Sequence, residues 1–167
     1  MKNIKSIRFL CTFLFILVIP TYGENKSNIF STWEGFEVDK CASIWLFKSF
    51  INKNSEIKFF PKGTIISKGT PFDTPDAKLR RYHNMSTYET ILKQYNLIDP
   101  KLLYIGKIIH DIEINIWDRK VIPETYIVKN DIINIIMKSK SNDRIIEKSI
   151  NYFDLLYKNI KVKRPLK

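Results

Sequence analysis

The stretch from Asp39 to Ile51 constrains the fold most. Wound as a helix, Cys41, Ile44, Trp45, Leu46, Phe47, Phe50 and Ile51 cover nearly its whole circumference and leave a narrow polar strip. Such a helix belongs in the middle of a core. Asp39 suits an N-cap, so the pattern predicts a helix over 40–51 with Cys41 in its first turn. Four further start signals frame the other helices. Ser86-Thr87-Tyr88-Glu89 has the spacing of a capping box, predicting a helix from Thr87 to Tyr95 in which Glu89 reaches back to the Ser86 amide. Asp99-Pro100 starts another, with Leu102, Ile105, Ile109, Ile112 and Ile116 as its core face. Pro123 suits the first turn of a helix reaching Lys138, with Ile127, Ile132, Ile135 and Ile136 apolar. Ser141 caps a last one to Ile160, whose stripe is Ile145, Ile146, Ile150, Phe153, Leu156 and Ile160.

Between the first two helices the pattern changes. Glu56 to Phe60 alternates polar and apolar, and Thr64-Ile65-Ile66 follows Gly63, predicting a short hairpin or two strand fragments. Ser67 to Asn84, punctuated by Gly69, Pro71 and Pro75, reads as a long ordered loop. The expected fold class is therefore mainly α (α+β): a compact bundle of about five helices with a short β-hairpin and a long ordered loop. The sequence carries no internal repeat, phosphate-binding glycine loop, CxxC pair or Ser/His/Asp constellation.

The amino terminus has a separate role. Lys2, Lys5 and Arg8 precede an apolar run from Phe9 to Ile19, closed by Pro20 and the pattern Thr21-Tyr22-Gly23, which is the form of a secretory signal peptide. The run is shorter than the roughly 20 residues of a spanning helix. The expected division is a signal peptide over 1–23, a flexible lead-in over 24–32, a domain over 33–161 and a basic tail over 162–167. The expected location is periplasmic or secreted, with no stable membrane anchor after cleavage. Export leaves Cys41 as the lone thiol, so no disulfide forms within the chain and the core must hold the fold.

A net charge of +11 would ordinarily raise nucleic acid as a partner. Here the leader and the tail residues Lys161, Lys163, Arg164 and Lys167 account for much of it, which argues against one basic face. Chemistry concentrates instead in the long loop, where Asp73, Asp76, Lys78, Arg80, Arg81, Tyr82 and His83 lie close together. On the helix after Pro100, His110 and Glu113 are about 60° apart on one side, a spacing that lets imidazole and carboxylate share a metal ion, with Gly106 one turn earlier leaving room beside them. His83, His110, Glu113, Glu89 and Asp73 form the candidate metal set, suited to Fe, Mn or Zn. Lys40, Arg80 and Arg81 form the candidate anion-binding set. Cys41 is the candidate catalytic thiol, since a helix N-terminus and Lys40 lower a thiol pKa where the sulfur is reachable.

Several segments carry a family likeness in order: Trp33, then Asp39-Lys40-Cys41-Ala42-Ser43-Ile44-Trp45-Leu46-Phe47-Lys48-Ser49-Phe50-Ile51, Thr70-Pro71-Phe72-Asp73-Thr74-Pro75, Ser86-Thr87-Tyr88-Glu89-Thr90-Ile91-Leu92 and Ile108-Ile109-His110-Asp111-Ile112-Glu113. Together they resemble the chromate resistance protein family, namely the C-terminal domain of ChrB and its single-domain exported relatives. The resemblance implies a role in chromate resistance. The chain departs from the cytoplasmic members at Ser43 and Ser86, where those carry cysteine, and with a signal peptide in place of their DNA-binding half no transcriptional control is expected of it. The expected partner is thus a small inorganic ion, a metal or a chromate-like oxyanion, held between the loop over 72–83 and the helix bearing His110, with no nucleic acid. A metal- or thiol-dependent redox or hydrolytic enzyme is the alternative. A structural or partner-binding protein without a small-molecule site is the third.

Overall fold

The computed structural model describes residues 28–115 and 119–162. The leader, Ile116, Trp117 and the tail residues Lys163, Arg164 and Lys167 lie outside the described residues. The expected fold class holds, with five helices and a small sheet. The strands are β1 (Ile29–Trp33), β2 (Glu56–Phe60) and β3 (Thr70–Pro71); the helices are α1 (Val38–Leu46), α2 (Thr87–Gln94), α3 (Pro100–Glu113), α4 (Thr125–Lys138) and α5 (Asn142–Asn159). None of the helices among the described residues is long and apolar enough to cross a membrane.

The strand pairing corrects two expectations. Glu56–Phe60 forms no hairpin with Thr64-Ile65-Ile66; it pairs parallel with β1, Phe30 opposite Ile57 and Thr32 opposite Phe59, while β3 pairs parallel on the other edge. Parallel neighbours need a crossover, and the apolar helix after β1 supplies it. The strand at 29–33 is consequently the centre of the sheet, so 24–32 is not a flexible lead-in throughout. Its middle residues Phe30, Ser31 and Thr32 are all buried. Gly69 is required where the loop returns to this strand: φ is +79°, and a Cβ there would stand 2.6 Å from the Ile29 carbonyl oxygen.

Every residue of α1 is buried. The helix continues as a π-helical turn over Phe47–Ile51, closed by an Asn52 amide bond to the Phe47 carbonyl oxygen at 2.8 Å. The extra residue in that turn serves packing on two sides. Phe47 stacks on Phe30 at 3.7 Å and meets Phe72 edge-on at 5.0 Å, whereas Phe50 meets Trp45 at 5.1 Å and Tyr157 at 5.2 Å. Trp45 also stacks against Phe153 of α5 at 5.5 Å. The long loop is anchored by buried Phe72, Ala77 and Leu79.

Asp39 does not cap its own helix. Glu37 occupies that N-cap without a side-chain bond, and Asp39 sits in the first turn, fully buried, with its carboxylate directed at α2. There Oδ2 accepts the Thr87 amide at 2.7 Å and Oδ1 accepts the Tyr88 amide at 2.8 Å. Ser86 accepts the Glu89 amide, and Glu89 closes the expected capping box by accepting the Ser86 amide at 2.8 Å. The donors that a helix N-terminus normally leaves open are thus all paired in α2. Asp99 and Ser141 cap α3 and α5 as expected, and α4 begins at Thr125, two residues after Pro123.

Candidate functional site

Two groups of polar side chains meet where α1, the long loop, α2 and α3 converge. The first is a buried charge network around Asp39. Arg81 reaches from the loop to Glu113 at 2.8 Å, Glu37 at 3.3 Å and Asp39 at 3.9 Å, and the Asp39 amide donates to Glu113 at 3.4 Å. Lys40 donates to the Trp33 and Gly35 carbonyl oxygens at 2.9 and 2.8 Å and pairs with Asp73 at 3.6 Å. Asp73, at φ +51°, accepts the Thr87 hydroxyl at 2.7 Å.

Four carboxylates therefore share two cations, and the electrostatics follow. Burial, then the Asp73 charge, pushes the Asp39 carboxyl up to about 8 against the pull of the two α2 amides. Burial likewise raises Asp73 against the pull of Lys40, and raises Glu113 against that of Arg81. Burial disfavours the Arg81 charge, but Glu113, Glu37, Asp39 and Asp73 more than offset it and raise that group. Lys40 and Arg81 are thus committed to neutralising the protein's own carboxylates. Arg80 is committed elsewhere, donating to the Pro75 carbonyl oxygen with its guanidinium 4.9 Å from the Tyr82 ring centre. Lys40 and Arg81 thus meet in one carboxylate network, whereas Arg80 turns to the Pro75 carbonyl oxygen.

The second group lies on the other side of α2. His110 of α3 places Nδ1 at 3.0 and 3.2 Å from the two Glu89 oxygens. Glu89 also accepts from the Ser86 amide and hydroxyl, so it serves the capping box and the histidine together. A carboxylate that accepts every other bond it makes requires Nδ1 to carry the proton, which leaves Nε2 for a ligand. The pair lines an open cleft of about 730 Å3 with Lys107, Asp111, Ile114, Asn115, Val121 and Ile122.

Asp111 organises the cleft wall. It accepts Asn115 at 2.7 Å, the Thr125 hydroxyl at 2.7 Å and the Val121 and Ile122 amides. Burial works to raise this carboxyl, but those four bonds outweigh it and hold it below the ordinary carboxylate range. Gly106 does not leave room for a ligand, because its open side is filled by α2: a Cβ there would meet Leu92 at 3.3 Å and Tyr88 at 3.5 Å.

The candidate metal set is divided by this arrangement. His110 joins Glu89, Glu113 joins Arg81, Asp73 joins Lys40, and exposed His83 has no hydrogen bond or ion pair with the other four among the described residues. Among the described residues no three His, Cys, Asp or Glu side chains are placed together to hold a metal ion. Cys41 is 2% exposed, and burial pushes its thiol up to about 12 despite a Ser149 hydrogen bond and the Lys40 charge. A thiol-specific disulfide reagent should therefore titrate no Cys41 in native protein and the full thiol once the chain is unfolded in guanidinium.

Sequence reasoning passed over Lys107, although it precedes His110 by three residues and so shares its face. Among the described residues Lys107 has no partner. It also passed over Glu37 and the reach of Asp39 to α2, for which local spacing holds no signal.

The chain matches the family model described as ChrB, C-terminal domain, over residues 30–160. It belongs to that family. The match begins within β1 and ends just beyond α5, so this ChrB-type domain spans the sheet and all five helices. Membership agrees with the chromate-resistance likeness carried by the motifs. No curated protein and no solved structure matches the chain.

Proposed function

We propose that this ChrB-type protein is exported and acts in chromate resistance by binding a chromate-type oxyanion in the Glu89–His110 cleft. One observation carries the reading: the cleft's carboxylates are spent as acceptors, whereas donors remain. Glu89 accepts Ser86 and His110, and Asp111 accepts four groups of its own wall. Uncommitted among the described residues are the Lys107 ammonium, a donor, and the second ring nitrogen of His110, which donates when the ring is the imidazolium paired with Glu89 and offers a lone pair when it is neutral. A donor-rich cleft favours an oxyanion over a cation. A divalent or transition metal at His110 is the second reading. It is favoured by the Glu89 contact, because a carboxylate behind Nδ1 is the usual support for a metal-bound imidazole. Thiol catalysis through Cys41 is disfavoured by its burial.

Equilibrium dialysis of chromate against protein recovered from exporting cells tests the oxyanion reading. Each charge-assisted bond is worth about 1.5–3 kcal/mol, so Lys107→Ala and His110→Gln should each weaken binding by about tenfold or more. Saturable binding indifferent to both substitutions, or no binding at all, rejects it. Metal retained by the same sample and lost in His110→Gln would favour the second reading, and an N-terminus near Glu24 would support export.

A further inference from the structure

Helix α4 is the least satisfied element of the fold. Of its fourteen residues only Thr125, Val128 and Ile132 are buried, yet it carries eight large apolar side chains. Tyr126, Ile127 and Met137 are more than half exposed, and Ile133, Ile135 and Ile136 are only half-buried. Tyr126, Lys129, Ile133 and Ile136 follow one another at spacings of three and four, so they form one stripe along the helix, partly exposed and partly packed against the core, with Met137 beside its end. Lys129, Ile133, Ile136 and Met137 line one wall of a groove of about 370 Å3 whose remaining lining is Phe36, Val38, Ile112, Glu37 and Glu113. An apolar helix face of this kind marks an interaction surface.

The charges beside the groove indicate what fills it. Lys129 stands on the α4 wall and has no partner among the described residues. Glu37 stands on the opposite wall with its side chain 49% exposed, and it belongs to a network in which carboxylates outnumber cations. One wall therefore offers a spare ammonium and the other a surplus of carboxylate. A helix entering the groove is best matched if it is apolar and carries a lysine among its apolar residues, and α4 is itself such a helix. We propose that the groove is the interface of a twofold dimer, in which α4 of a second copy lies against α4 and the Glu37 wall of the first. Each Lys129 then faces the other copy's Glu37, and Met137 enters the other copy's groove. A twofold axis uses the same patch twice, so a surface carrying both apolar ridge and groove, and both signs of charge, is self-complementary. This interface does not involve the Glu89–His110 cleft, so it stands or falls separately from the oxyanion reading.

Sedimentation equilibrium of the protein as processed by expressing cells, from 1 to 200 μM, tests this. The expected result is a mass twice that of the protomer, with Met137→Glu and Lys129→Glu each raising the dissociation constant at least tenfold. Raised salt should weaken the parent dimer but not rescue Met137→Glu. Leu155→Glu, at an exposed α5 position outside the groove, is the control and should leave the dimer intact. Far-ultraviolet circular dichroism checks that each variant is folded. A parent of protomer mass at 200 μM overturns the proposal. So does an assembly of any other size, or a dimer indifferent to both groove substitutions in folded protein.

Discussion

Asp39→Ala should lower the unfolding free energy by about 2–4 kcal/mol at pH 5, read as a lower urea midpoint with little change in slope. The cost comes from α2, where the Thr87 and Tyr88 amides lose their acceptor inside the core, each such orphan being worth about 1–3 kcal/mol. Asp39→Asn, which keeps one acceptor, should lie between parent and alanine variant. The effect should also depend on pH in a fixed direction. With its carboxyl raised from 3.8 to about 8, native protein holds a proton at Asp39 that the unfolded chain has released. The stability from that titration is therefore fully present below about pH 4 and is lost as pH rises through 8. The gap between parent and Asp39→Ala should narrow between pH 5 and pH 9, by at most about 1.4 kcal/mol per pH unit. A gap that stays constant over this range would show that Asp39 is ionised throughout in the native protein.

Trp45→Ala should cost about 3–5 kcal/mol, the range for truncating a large buried aromatic. Trp45 is fully buried at the junction of α1 and α5, stacked on Phe153 and in edge contact with Phe50. Its indole nitrogen donates to Asp154 at 2.7 Å, so the substitution also strips that carboxylate of its partner. Trp45→Phe keeps most of the packing and loses the hydrogen bond, and should cost about half as much. Urea titration followed by circular dichroism gives both values. The truncated protein should also lose the cooperativity of α5, seen as faster amide exchange there than in α3.

What the sequence disclosed depends on how far apart the interacting residues lie. The caps at Ser86, Asp99 and Ser141 were legible because a cap and its amides are three residues apart or fewer. The central helix was legible because its apolar circumference admits no surface position. Asp39 misled for the same local reason: it looks like a cap and is one, but for a helix that begins 48 residues later. Parallel pairing of β1 with β2 was hidden likewise, since alternation within Glu56–Phe60 marks a strand and says nothing of its partner. In the candidate site, spacing correctly put His110 and Glu113 on one helix but not what each would meet. Their partners Glu89 and Arg81 come from other elements, and those contacts divide the pair between a cleft and a charge network.

The capping of α2 by Asp39 ties the cleft to the core. Eight residues are too few to sustain a helix alone in water, so α2 draws its first turn from its own capping box, its buried Tyr88, Ile91 and Leu92, and the carboxylate that α1 presents to Thr87 and Tyr88. Glu89 rides on α2, and the ring of His110 is oriented by Glu89. The aim of the imidazole is therefore set by a residue on another helix that does not line its cleft. A change at Asp39 would therefore alter the orientation of an imidazole that it does not touch, so the central helix sets the geometry of the cleft as well as supporting it.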